Sequence, residues 1–98
     1  MNLNIAICDD DIDEIKLISS LIDRYQIQYN NNIFIDTYTS PDSLLENYTH
    51  AGKYNILFLD VEMPGMNGLE LADRIRRLPD KQVKIVFVSN YPEYMQES

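Results

Sequence analysis

The stretch Ile56-Leu57-Phe58-Leu59-Asp60-Val61-Glu62-Met63-Pro64-Gly65-Met66-Asn67-Gly68 decides the fold. It opens on four apolar residues in a row, a run suited to a strand buried on both faces. The run ends on a carboxylate and passes into a Pro-Gly loop. Leu69, Leu71, Ala72, Ile75 and Leu78 then recur at helical spacing until Pro79 stops them. Strand, polar loop and amphipathic helix in that order form one unit of a parallel α/β sheet.

The same alternation extends on both sides. Upstream, Ser40-Pro41 opens a helix, with Ser as N-cap and Pro at the first helical position. Leu44, Leu45 and Tyr48 are expected to face the core, with Gly52 closing that helix. Before it, Ile33-Phe34-Ile35-Asp36-Thr37-Tyr38 is a β-branched and aromatic strand after the turn Asn30-Asn31-Asn32. Ile12, Ile15, Ile18, Ile22 and Tyr25 predict an amphipathic helix over residues 12–29, with Asp11 as N-cap. Residues 3–8 form the first apolar strand. Downstream, residues 83–88 form a fourth strand. Ser89-Asn90 then turn the chain, and Pro92 permits a helix that has barely begun at the last residue. The pattern is one α/β domain, residues 1–98, with helices on both faces of a parallel sheet.

Composition agrees with a single soluble domain. The chain has 98 residues, 45% of them hydrophobic and 24% charged, and a net charge of -8. That sign repels phosphate backbones, so this chain by itself is not expected to bind nucleic acid. No apolar run approaches membrane-spanning length, and the expected location is the cytoplasm. The single cysteine, Cys8, excludes an internal disulfide and lies in an apolar run, where an inert core thiol is expected. His50 reads as a surface residue near the end of the second helix. Met63 and Met66 read as loop and packing residues.

The acids carry the chemistry. Sites in open parallel sheets form beyond the carboxyl ends of the strands, where strand order reverses. With strand order 2-1-3-4 that point lies between strands one and three, which end in Asp9-Asp10 and Asp60. Close carboxylates repel by on the order of 4 kcal/mol per pair at an effective dielectric near 20. A cation or a shared proton must therefore relieve the cluster. Oxygen-only ligands select a hard ion, magnesium first, which prefers a few carboxylates plus phosphate oxygens. A carboxylate can itself accept a phosphoryl group. Ser89, at the end of strand four, is placed beside Asp60 and could donate a hydrogen bond to that group.

Three segments resemble response regulator receiver domains: Ile5-Ala6-Ile7-Cys8-Asp9-Asp10-Asp11, residues 57–68, and Ile85-Val86-Phe87-Val88-Ser89. The Asp60-to-Gly68 spacing is the most specific of them. The resemblance implies a flavodoxin-like, doubly wound fold. It implies that Asp60 is the phosphoacceptor and that Asp9, Asp10, Asp60 and the backbone carbonyl of Glu62 hold Mg2+. Ser89 is then the hydroxyl that reports phosphorylation. The implied partner is a sensor histidine kinase, and the module is a switch rather than an enzyme acting on a separate substrate. Asn90-Tyr91-Pro92-Glu93-Tyr94 is similar to receivers joined to LytTR-type DNA-binding domains.

Receivers of this family also carry a fifth strand and helix, with a phosphate-pairing lysine and an aromatic switch residue on the fifth strand. The sequence stops before them, so the domain is expected to be incomplete at its C-terminus. Lys53 and Lys84 lie at the opposite end of the sheet, Lys16 on the first helix and Lys81 in a loop, so none replaces that lysine. Slower or absent phosphorylation is expected, and strand four becomes an apolar edge open to a second copy or to exchange of elements.

Other readings compete. Asp60-Val61-Glu62 is superficially similar to the nucleophile motif of haloacid dehalogenase phosphatases, which however place it on the first strand. An FMN-binding protein of the same strand order would need a Ser/Thr-rich loop where Asp9-Asp10-Asp11 stand. A non-phosphorylated interaction module on the same fold is the nearest alternative.

Overall fold

The computed structural model describes residues 2–29, 32–78 and 82–89. The elements run β1 (Asn2–Cys8), α1 (Ile12–Tyr29), β2 (Asn32–Tyr38), α2 (Pro41–Asn47), β3 (Ile56–Asp60), α3 (Gly68–Arg77) and β4 (Lys84–Val88). The strands form one sheet in the order β2-β1-β3-β4, and every pairing is parallel. The strand order is the one that the sequence pattern predicts.

Alternation along the two central strands divides the core into two layers. Ala6 and Cys8 of β1 join Leu57 and Leu59 of β3, Leu44 of α2, and Leu71 and Ile75 of α3. Ile5 and Ile7 point the other way, where they meet Ile15 and Ile22 of α1, with Ile56 and Phe58 packed alongside. Each central strand is thus apolar on both faces, which explains its unbroken run of hydrophobic residues.

The helix starts follow capping chemistry. Asp11 accepts the Asp13 backbone N–H through Oδ1 at 2.9 Å, Ser40 Oγ accepts that of Ser43 at 3.3 Å, and Asn67 Oδ1 accepts that of Glu70 at 2.9 Å. Two expectations need correction. Helix α2 ends at Asn47 rather than at Gly52. The Tyr48 N–H turns back to the Leu45 carbonyl at 3.3 Å, and the Lys53 ammonium donates to the Asn47 carbonyl, so the last turn is satisfied without glycine. Gly52, at φ 84, instead shapes the loop before β3. On α1, Ile15 and Ile22 are buried, but Ile12 and Tyr25 at the two ends of the expected stripe are exposed.

Among the described residues, strand β4 is one of the two edge strands of the sheet, opposite β2. Val86 and Phe87 remain 42% and 44% exposed. Beside it, an apolar groove of about 390 Å³ opens between α1 and the sheet, with Leu21, Tyr25, Phe58 and Val88 in its walls. Pro79, Lys81 and the segment 90–98, with its expected helix start, lie outside the described residues.

Candidate functional site

The register of the sheet assembles the acids. Cys8 is paired with Leu59, so the residues that follow, Asp9 just past β1 and Asp60 at the end of β3, leave adjacent strands side by side. Asp10 is next in the turn into α1. One carboxylate oxygen from each of Asp9, Asp10 and Asp60 lies within 4.8 Å of the others. This is the reversal point of the strand order, where the sequence placed the site.

Each acid has a different setting. Asp9 is only 3% exposed, and its Oδ1 accepts the Asp11 backbone N–H at 2.9 Å. Asp10 is exposed and Asp60 half-buried. Asp60 Oδ1 accepts the Glu62 backbone N–H at 3.2 Å, which fixes the carboxylate against its own loop. Burial first, and then the charge of Asp9, push the Asp60 carboxyl up to about 7, against a partial opposing pull from the Glu62 N–H. Burial also raises Asp9. In both groups burial is the first cause, and the charge of a neighbouring acid adds to it.

These oxygens, with no nitrogen or sulfur donor among them, fit a hard cation. The Cys8 thiol is near but unsuited to join them. Burial and the three neighbouring acids push it up to about 12, and it donates to Met63 Sδ at 3.8 Å, within the core. Met63 is buried and serves packing, as expected of it. His50 is exposed on the loop after α2.

The other expected site residues lie on the same rim. Asp60 pairs with Val88, and the Val61 N–H donates to the Val88 carbonyl at 3.0 Å. Ser89 therefore leaves β4 beside the start of the β3–α3 loop. It is half-buried. Glu62 is exposed, with its backbone next to the Asp60 carboxylate. Lys84 pairs with Ile56, at the far end of the sheet from the acids.

One feature was hidden from sequence reasoning. Gly68, read as the end of the loop and of the Asp60-to-Gly68 spacing but with no contact assigned to it, packs against the backbone of Asp60: a Cβ on it would lie 2.1 Å from the Asp60 carbonyl oxygen. The available signal was a glycine at the first turn of a helix, where alanine is the better helix former.

Comparison with known proteins agrees with this geometry. Residues 5–97 match the response regulator receiver domain. The chain is 38% identical over 72 residues to the sensory transduction protein LytT of Oceanobacillus iheyensis, covering 71% of this chain and 29% of that protein. It is 33% identical over 90 residues to the cyclic di-GMP phosphodiesterase response regulator RpfG of Xanthomonas campestris pv. campestris, covering 91% and 22%. The chain thus spans less than a third of either relative. Among solved structures, a two component transcriptional regulator AraC from Clostridium phytofermentans superposes with a TM-score of 0.72 at 26% identity, covering 96% of this chain and 72% of that one.

Proposed function

The chain belongs to the response regulator receiver domain family, and from that premise we propose that it accepts a phosphoryl group from a sensor histidine kinase on Asp60, with Mg2+ bound. The observation that carries this reading is the convergence of the Asp9, Asp10 and Asp60 carboxylates within 4.8 Å at the switch point of the sheet.

In this reading Asp9, Asp10, Asp60 and the Glu62 backbone carbonyl hold the ion. Bound Mg2+ supplies charge neutralisation for the carboxylate nucleophile and the phosphoryl oxygens. An Asp60 oxygen attacks phosphorus as the phosphorus–nitrogen bond to the kinase histidine breaks. The imidazole leaves and the product is an aspartyl phosphate. The Glu62 N–H orients the Asp60 carboxylate for that attack. Ser89 donates its hydroxyl hydrogen to a phosphoryl oxygen, which couples the phosphorylated state to the end of β4.

We infer that the switch acts on a downstream output domain. The likeness to LytT and the sequence Asn90-Tyr91-Pro92-Glu93-Tyr94 support a DNA-binding domain of LytTR type downstream. Val86 and Phe87 are exposed on the two faces of the edge strand β4, and this apolar edge supports association of the 98-residue chain with a second copy through β4.

Incubation with Mg2+ and acetyl phosphate tests the phosphoacceptor role. The reading expects one phosphoryl adduct by intact mass, lost when Mg2+ is chelated. Acceptance that is indifferent to Mg2+ would exclude the proposed site. An intact, foldable chain that never accepts a phosphoryl group, even when extended downstream, would favour the interaction-module alternative.

A further inference from the structure

We propose that Gly68 is a positioning residue for the phosphoacceptor: the absence of a side chain at the start of α3 lets that helix seat on the main chain of Asp60 and thereby fixes the acceptor carboxylate against Asp9 and Asp10. The inference rests on the reading of Asp60 given above.

A Cβ built on Gly68 would stand 2.1 Å from the Asp60 carbonyl oxygen, 2.8 Å from the Asp60 carbonyl carbon and 3.2 Å from the Val61 Cα. The first two separations are far inside van der Waals contact. Both partners are backbone atoms, which cannot swing aside as a side-chain end can. Gly68 is itself buried.

The usual reason for a glycine does not apply. Gly52 and Gly65 are the positive-φ glycines, at 84° and 81°, and each would meet only open space with a Cβ. Gly68 is the reverse case, with no positive φ and no room. By propensity alone, alanine in the first turn of α3 would be the better choice. The need for glycine here therefore comes from what it touches, and it touches the acceptor aspartate.

The neighbouring bonds leave the Asp60 backbone little freedom to yield. The Gly68 N–H donates to the Val61 carbonyl at 3.0 Å, which closes the loop onto itself. The Val61 N–H is bonded to Val88 at 3.0 Å, and the Val61 side chain is buried. Met63 anchors the loop from below, beside Cys8. A side chain at position 68 must then push the Asp60 peptide, and with it the Glu62 N–H that holds the carboxylate. Small misplacement of a reacting group is costly, and loss of a support behind a metal ligand lowers affinity by about 10- to 100-fold.

The test compares the full chain with Gly68→Ala and with Ile75→Val, a core change on the same helix. Asp60 adduct formation from acetyl phosphate is followed across a Mg2+ series, below the melting temperature of each protein. The proposal expects Gly68→Ala to raise the half-saturating Mg2+ concentration by about 10-fold or more, while Ile75→Val leaves it at the parent value. Equal Mg2+ dependence in all three, or equal shifts in both variants, would overturn it. Failure of the parent chain itself to form an Asp60 adduct strikes the phosphoacceptor reading instead. If Gly68→Ala does not fold, backbone amide shifts of the parent chain during Mg2+ titration decide the matter. Gly68 is expected to move with the same midpoint as Asp60 and Glu62, with Gly52 unmoved. A silent Gly68 amide would overturn the proposal.

Discussion

The backbone N–H of Val61 donates to the carbonyl of Val88 at 3.0 Å, so the β3–β4 ladder continues one residue past Asp60. The bond ties the loop that follows Asp60, the proposed acceptor, to the strand end that carries Ser89. Replacing Ser89 by Ala removes one neutral donor, worth roughly 1 kcal/mol. Adduct formation on Asp60 is expected to slow by less than about 10-fold. Ser89→Thr is expected to restore the rate. Time courses of intact mass measure both.

The acids set a pH dependence whose sign is opposite to that of an ion-paired carboxylate. The folded Asp60 carboxyl is raised from 3.8 to about 7, and burial raises Asp9 as well. Well below the ordinary value of 3.8 both are protonated, folded or unfolded. As pH rises toward 7, the unfolded chain releases its protons more readily, so the folded state loses their contribution. Without divalent metal, these groups are expected to lower the melting temperature between about pH 4 and pH 7. Asp60→Asn is expected to flatten that slope and to raise stability at neutral pH. Thermal denaturation followed by circular dichroism across this range reads the effect.

Metal binding is expected to reverse the repulsion. Asp9→Asn and Asp10→Asn each remove a negative charge, so each is expected to be more stable than the parent chain in chelator. Each is also expected to bind Mg2+ at least about 10-fold more weakly. Asp9→Asn keeps an oxygen to accept the Asp11 N–H, so its fold is preserved. Calorimetric Mg2+ titration, paired with melting curves in chelator and in excess Mg2+, separates the two effects.

Association through β4 is expected to be apolar and reversible. Light scattering of the 98-residue chain across a tenfold dilution series should show a change in mean mass. Val86→Lys or Phe87→Lys places a charge on the exposed edge and should hold the chain monomeric. A monomer at every concentration would refute association.

Much of this arrangement was legible in the residues. The unbroken runs at 5–8 and 56–59 announce central parallel strands, since only a strand covered on both faces excludes polar residues throughout. The meeting of Asp9, Asp10 and Asp60 follows from strand order alone, because parallel strands end at one rim. What sequence reasoning misread depends on local satisfaction of backbone groups. Helix α2 ends at Asn47 because the Tyr48 N–H and the Lys53 ammonium satisfy its last carbonyls, a solution that glycine-based reasoning overlooks. The seat of Gly68 on Asp60 requires knowing how close α3 approaches β3, and no pattern in one sequence encodes that distance.

The most direct test converts the acceptor chemically and locates it. After incubation with acetyl phosphate and Mg2+, borohydride reduces an aspartyl phosphate to an alcohol, and peptide mass mapping identifies the altered residue. The account expects reduction at position 60 alone, absent without Mg2+. Reduction at another carboxylate, or a phosphorylated chain that borohydride leaves unchanged, would contradict Asp60 as the acceptor.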